Sequence, residues 1–369
     1  MSSAADGLNP LPRIDIDTQV IRRNAQFLCD RLGRVGISVT GVTKGVGGHP
    51  AVAQAMLDGG VVGLADSRLD NVMRLRTAGI TCPISLIRAP MRAEMAGVVA
   101  YCTNSYNTEL ETIALLGAAA LAVGRVHGVM LMVEVGDSRE GLLLRDLPAF
   151  VLAVHRHSGL RLDGVGVNFA CLSGVPPTTA ALLYLCAAIA TAESASGIRI
   201  PQLSGGNSAS LPLLLTGPDH ARVNNLRLGE SILLGCEPVS GRLINGLSDT
   251  AFGLVAEVIE SSHKSHRVTV ATTRPVDISN QVVLALGSQD TDIQGLGFPL
   301  GCTLAGSTSD HSVLDTGKRR RTVGSEVALT MNYSALSRAM AVTAISKRLC
   351  VKPQPAVGVA RRPSVLLRA

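Results

Sequence analysis

The sequence contains no tryptophan, and aromatic side chains make up only 2% of its 369 residues. Proteins that hold single-stranded nucleic acid on stacked rings need such side chains in number, so that class of function has little to build on here. Cysteine offers no framework either. The eight cysteines, at 29, 82, 102, 171, 186, 236, 302 and 350, are scattered and form no CxxC pair. That excludes a zinc knuckle and a disulfide-stapled fold, and it fits a reducing cytoplasm. No run reaches the roughly 18 uncharged apolar residues of a membrane span. The nearest, residues 180–191, is short and alanine-rich and reads as a buried helix. Residues 1–12 are polar, with neither a basic start nor an apolar stretch, so they read as a flexible N-terminus and not as a secretion signal.

What is present is a core-forming composition, 46% hydrophobic and 17% charged. Lys+Arg minus Asp+Glu is 34 − 28 = +6, an excess that attracts phosphate-bearing ligands without marking a nucleic-acid protein. The one basic run, 318–321, lies between two strand-like segments and reads as a solvated turn.

Short apolar runs alternate with amphipathic stretches as far as residue 240. Strands are expected at 13–17, 38–43, 61–65, 84–87, 101–104, 129–135, 164–168, 202–204 and 225–228, with helical patterns such as 18–32, 50–58, 67–77 and 107–119 between them. This alternation predicts a parallel sheet, and the number of units predicts closure into a (β/α)8 barrel over 13–240. Polar or glycine-rich patches end the strands, which places the chemistry at the C-terminal face. From 241 to 351 the pattern changes to strands with short turns, at 252–259, 267–271, 281–286, 303–305, 312–314 and 326–331. These predict a mainly β C-terminal domain, followed by a flexible tail over 352–369.

Lysine is scarcer than the aromatics. Five occur, at 44, 264, 318, 347 and 352, so Lys44 is alone in the first 263 residues. A chain that uses arginine wherever a surface cation suffices has a lysine closing the apolar strand Ser38-Val-Thr-Gly-Val-Thr-Lys44. Lysine, unlike arginine, loses its proton when desolvated and then serves as an amine nucleophile or base. A snorkelling lysine at a strand end is the plain alternative. A phosphate-binding P-loop fits poorly, because the glycines at 45, 47 and 48 follow the lysine instead of preceding it.

Two later loops look suited to an anion. Ser204-Gly-Gly-Asn-Ser208 ends one strand and opens a helix-like run, and Asn225-Leu-Arg-Leu-Gly-Glu-Ser231 repeats the arrangement one unit on. These are the last two strand ends of the expected barrel, the usual place for a phosphate site.

With Lys44, Arg139, Ser208 and Arg227 to Gly229 in this order, the chain resembles the alanine racemase superfamily, the fold-type III pyridoxal phosphate (PLP) enzymes. Ala65-Asp-Ser-Arg68, Val135-Gly-Asp-Ser-Arg-Glu-Gly141, Gln289-Asp-Thr-Asp292 and Ser309-Asp-His311 are most similar to its ornithine racemase branch. The resemblance implies a PLP-dependent amino-acid racemase (an isomerase) of amino-acid metabolism. Its substrate would be ornithine or another basic amino acid, and no metal would be needed. Lys44 would carry PLP as a Schiff base and act as one catalytic base. Ser208, the backbone around Gly229 and Glu230, and Tyr333 would hold the phosphate. Arg227 would face the pyridine nitrogen and keep it unprotonated. Arg139 would lie near the cofactor phenolate and the substrate carboxylate. A cytoplasmic homodimer with shared sites is also implied, with no nucleic-acid or membrane partner.

The chain departs from alanine racemases at two points. Asn168 stands where they place a histidine, and Ser288, in Gly287-Ser-Gln-Asp290, stands where they carry the tyrosine that opposes the lysine. Racemisation needs a proton carrier on each face of Cα. His311 and Asp290 are the leading candidates for the second, with Asp292 and Cys302 behind them. Asp292 and Ser309, together with Arg139, are candidate substrate contacts. Two alternatives remain: a metal-assisted D-amino-acid aldolase or dehydratase with Asp310 and His311 as ligands, or a non-catalytic PLP-binding protein.

Overall fold

A computed structural model describes residues 11–216, 222–265 and 278–350. The chain divides into two compact units, one of Ile21–Ser248 and one of Met1–Val20 with Asp249–Ala369. The expected strand at 267–271 and the tail at 352–369 lie outside the described residues, as do residues 1–10 of the expected N-terminal segment.

The first unit is a closed barrel of eight parallel strands. After β1 (Arg13–Asp17), they are β2 (Ser38–Val42), β3 (Gly63–Asp66), β4 (Ile84–Leu86), β5 (Asn104–Asn107), β6 (His127–Met132), β7 (Leu160–Gly166), β8 (Gln202–Ser204) and β9 (Asn225–Leu228). Closure comes from β9 against β2, with Ser38 opposite Asn225 and Gly41 opposite Leu228. The outer helices bury one stripe each. Thr179–Ser196 buries Leu182, Leu185, Ile189 and Ala192, at spacings of three, four and three that keep them on one face. This 18-residue helix has mean hydropathy 1.3, enough by length and composition to cross a membrane. It contains the run 180–191, of which only that stripe is buried.

The second unit carries β10 (Phe252–Ser265), β11 (Ile278–Leu284), β12 (Leu296–Gly297), β13 (Thr303–Ser307), β14 (Ser312–Asp315), β15 (Glu326–Met331) and β16 (Ser346–Cys350). The order runs β12-β15-β10-β11-β14-β13 and every pair along it is antiparallel. Lys318, Arg319 and Arg320 are exposed between β14 and β15, the solvated position expected for them.

Two expectations need correction. Residues 101–104 are not a strand; Met95–Tyr101 is a helix and the strand is Asn104–Asn107. Met95, Val98 and Val99 are the buried positions, a helical spacing within a run too apolar to show it by alternation. The strand 13–17 does not join the barrel. It pairs antiparallel with β10 and parallel with β16. Its charges explain the choice. Arg13, 5% exposed, makes paired 2.6 Å hydrogen bonds to Glu326 of β15 and one of 3.1 Å to Asp15. Asp15 in turn accepts from Arg348 of β16 at 2.8 and 2.7 Å. A charged strand buried on both faces is tolerated only where such partners exist.

Asp15→Ala removes three of these charge-assisted bonds and is expected to cost about 2 kcal/mol of unfolding free energy in urea. An unchanged midpoint contradicts this role for the strand.

Candidate active site

Lys44 follows β2 by two residues and opens a single 3-10 turn, Lys44–Val46. The turn closes through Gly47 and Gly48, both at positive φ (59° and 62°), and a Cβ on Gly48 would sit 2.8 Å from that of Asn71. The turn is pinned from the neighbouring strand. Asp66, at the end of β3 and fully buried, accepts from Thr43 Oγ1 at 2.7 Å, Asn71 Nδ2 at 2.9 Å and the Arg68 N–H at 3.0 Å. Burial pushes the Asp66 carboxyl upward, and these hydrogen bonds oppose the rise. Thus Ala65-Asp-Ser-Arg68 fixes the residue before Lys44 and leaves the lysine side chain itself exposed.

The two loops expected to suit an anion come together. Ser208 and Ser231 are buried with their hydroxyl oxygens 3.0 Å apart, and the Ser231 N–H donates to Ser208 Oγ at 3.2 Å. Glycine is required beside them. Gly206 has φ +109°, and a Cβ there would lie 2.5 Å from Ser210 Oγ; one on Gly229 would lie 3.1 Å from Val42 Cβ. Hydroxyls and backbone N–H groups in a side-chain-free cradle form a donor set that fits a phosphate.

Glu230 follows Gly229 and is half-buried. Burial raises its carboxyl to about 7, aided by Glu237 and opposed by the Lys44 charge. Because Gly41 pairs with Leu228, the residues just past those two strand ends, Lys44 and Glu230 among them, emerge side by side.

Arg227 is 3% exposed, and three of its five N–H donors are engaged. Nη1 donates to Ser204 Oγ at 2.6 Å, and Nη2 donates to the Val167 carbonyl at 2.6 Å and to Asn168 Oδ1 at 2.8 Å. The guanidinium carbon lies 4.9 Å from the centre of the Tyr106 ring. Gly166 makes the stack possible, since a Cβ there would come within 2.6 Å of Tyr106 Cε1 and 3.2 Å of Arg227 Nη1. Asn168 also donates to Glu140 at 3.0 Å, and Glu140 takes two bonds from Arg139, one from Nη2 at 2.7 Å and one from Nε.

The barrel therefore gathers Lys44, Arg139, Asn168, Ser208, Arg227, Gly229 and Glu230 at the C-terminal ends of its strands. A separate cavity of about 320 Å³ lies at the other end, among strand-start residues such as Ser38, Asn104 and Asn225, with Tyr106 at its edge. That cavity's lining holds no ionisable group beyond the Tyr106 phenol, whereas the strand-end set includes Lys44, Arg139, Arg227 and Glu230.

Asp290, Asp292, Ser309, His311 and Tyr333 belong to the β-rich unit. Backbone bonds from Ser288 to Thr308 (2.9 Å) and Gln289 to Ser309 (3.1 Å) hold the loops 287–290 and 308–311 together, so Asp290, Ser309 and His311 share one cluster. The Asp290 carboxylate caps its own turn, accepting from the Gly287 N–H at 2.8 Å. Asp310 accepts from Gln289 and Ser309, and His311 is exposed. Asp292 precedes a 3-10 turn and is half-buried, Cys302 is buried, and Tyr333 opens the helix Tyr333–Ala341.

Sequence reasoning did not single out Tyr106 or Gly166, and it gave no role to Asp66, Ser204 and Glu140 within the motifs it quoted. Tyrosine, with four occurrences, is as scarce as lysine, and the same argument from scarcity was open for Tyr106. The other four carry no such signal.

Comparison with known proteins gives a consistent result. Residues 16–238 match the family described as alanine racemase, N-terminal domain. An ornithine racemase from Acetoanaerobium sticklandii is 31% identical, over 92% of this chain and 99% of that one. A lysine racemase from Thermotoga maritima is 32% identical, over 91% and 98%. Among solved structures, an alanine racemase from Streptomyces coelicolor A3(2) superposes with a TM-score of 0.75 at 21% identity, over 92% of this chain and 98% of that one, a likeness of fold. The chain belongs to the alanine racemase family, fold-type III racemases that take PLP as cofactor.

Proposed function

We propose that this enzyme interconverts the L and D forms of ornithine or a similar basic amino acid, by proton transfer at Cα from two sides. The observation that carries this reading is the meeting of Lys44, the Ser208–Ser231 hydroxyl pair and buried Arg227 at adjoining strand ends. Lys44 anchors the cofactor. Ser208 and the backbone at Gly229 and Glu230 would hold its phosphate, a role the family resemblance also gives to Tyr333, and Arg227 would face its ring nitrogen. PLP, once bound, supplies the electron sink that makes the α-proton acidic. Arg227, fixed by three acceptors, would offer the ring nitrogen an N–H donor and not an acid, which would restrain that sink and favour proton return over side reactions.

Lys44 Nζ exchanges the proton on one face of Cα. His311 fits the other face better than Asp290, whose carboxylate is occupied within its own turn. Arg139 takes the substrate carboxylate. Glu134, Asp137 and Glu140 surround that arginine, giving the segment a net negative charge that favours an amino acid with a second ammonium. Asp292 and Ser309 are assigned to that side chain. The names of two near-full-length relatives, ornithine racemase and lysine racemase, support a basic substrate. The working enzyme is proposed to be a cytoplasmic homodimer.

The test is a screen of L-amino acids for α-deuterium incorporation, with chiral analysis of the product. Basic amino acids are expected to exchange and racemise, and Lys44→Ala to lose both the exchange and the visible absorption of bound cofactor. A Lys44→Ala protein with wild-type absorption and exchange contradicts the reading.

The raised Glu230 carboxyl adds a pH signature. Its folded value of about 7 lies above the ordinary 4.5, so between these the folded state binds a proton that the unfolded chain has released. Stability from this group falls as pH rises across that window. In cofactor-free protein, the Tm of Glu230→Gln relative to wild type is expected to rise from pH 4.5 to 7 and then level. Parallel Tm curves for the two proteins contradict the burial of this carboxyl.

A further inference from the structure

Beyond its share of the negative charge around Arg139, Glu140 is given no task in the mechanism above, yet its carboxylate stands between the two arginines on which that mechanism relies. The segment that carries it is tightly folded. Glu134 accepts the backbone N–H groups of Gly136, Ser138 (3.1 Å) and Arg139 (3.4 Å). Asp137, 2% exposed, accepts from Leu172 N–H at 2.9 Å and Ser173 N–H at 3.3 Å, tying the segment to the stretch after β7. Arg139 and Glu140 are left side by side, half-open, with side chains 37% and 34% exposed.

The bonds from Glu140 onward have one possible direction. A carboxylate only accepts and a guanidinium only donates, so the amide between them must turn its nitrogen to one and its oxygen to the other. Asn168 does this, donating to Glu140 at 3.0 Å and accepting from Arg227 at 2.8 Å. A single path of hydrogen bonds thus runs from Arg139 through Glu140 and Asn168 to Arg227. Of the remaining charges, Asp137 Oδ2 is buried without a hydrogen-bond partner, 3.9 Å from Arg139 Nε, and Glu134 is engaged with the backbone.

We propose that Glu140 is a positioning residue that couples the substrate-carboxylate arginine, Arg139, to the ring-facing arginine, Arg227, through Asn168, and that its negative charge offsets theirs beside the cofactor. The inference rests on the functional reading above. It assigns to Glu140 a task that an apolar or amide side chain cannot perform, because only a carboxylate fixes the Arg139 fork and orients the Asn168 amide together.

The test uses the cofactor-loaded enzyme with Glu140→Gln and Glu140→Asp. Glutamine keeps an oxygen for Asn168 but loses the charge. Loss of a nearby negative charge disfavours the protonated, more cationic form of the bound chromophore. The midpoint of its visible pH titration should therefore fall by roughly one pH unit. With Arg139 no longer held, kcat should drop on the order of 10²-fold while KM moves less than about threefold. Aspartate keeps the charge but is too short to span both partners, so its midpoint should stay near wild type while kcat falls. The proposal is overturned if the glutamine variant matches wild type in midpoint and kcat. It is equally overturned if the aspartate variant shifts the midpoint as glutamine does; that comparison decides the matter should one variant fold poorly. A wild-type protein that neither takes up PLP nor exchanges an α-proton sinks the functional reading instead, a result distinct from either.

Discussion

Burying a guanidinium is the constraint around which this barrel mouth is organised. Arg227 is 3% exposed, and a charge withdrawn that far from water costs several kcal/mol unless its hydrogens are placed. The structure places three of the five on Ser204, Val167 and Asn168 and lays the Tyr106 ring against the cation. Each answer imposes a further demand. The Tyr106 stack requires Gly166 to be glycine, and the Asn168 amide, turned toward Arg227, presents its nitrogen to Glu140. Four strands of the barrel, β5, β7, β8 and β9, are thereby committed to one side chain.

The lysine is held by a different device. Asp66 is also buried, but its partners are neutral donors, and it serves to lock Thr43 and the turn that begins at Lys44. Arg227 is thus rigid and internal, whereas Lys44 stands exposed on a fixed turn, which suits the cofactor-anchoring role proposed for it. The strand register of β2 on β9 brings the two supports together, since Thr40 lies opposite Arg227 itself.

The barrel was legible because alternation of apolar strands with helices is a long-range pattern repeated eight times, and scarcity made Lys44 stand out as a candidate. The β1 strand was misplaced because five residues, Arg-Ile-Asp-Ile-Asp, do not say which sheet will supply partners for their charges. Those partners, Glu326 and Arg348, lie more than 300 positions away. Tyr106 and Gly166 escaped for the same reason: their meaning comes from contact across strands 60 positions apart, to which no local motif answers. Glu140 was visible inside a recognised motif, but as one more acid in a polar segment. Asp290, a candidate second base in the sequence, caps its own turn in the structure.

The proposed function depends on a rigid arginine that faces the cofactor ring nitrogen and leaves it without a proton. The most direct measurement is the nitrogen-15 chemical shift of ring-labelled PLP bound to the wild-type enzyme near neutral pH. An unprotonated pyridine shift that holds across the pH range of activity is the result predicted. A protonated, pyridinium-like shift under the same conditions contradicts it.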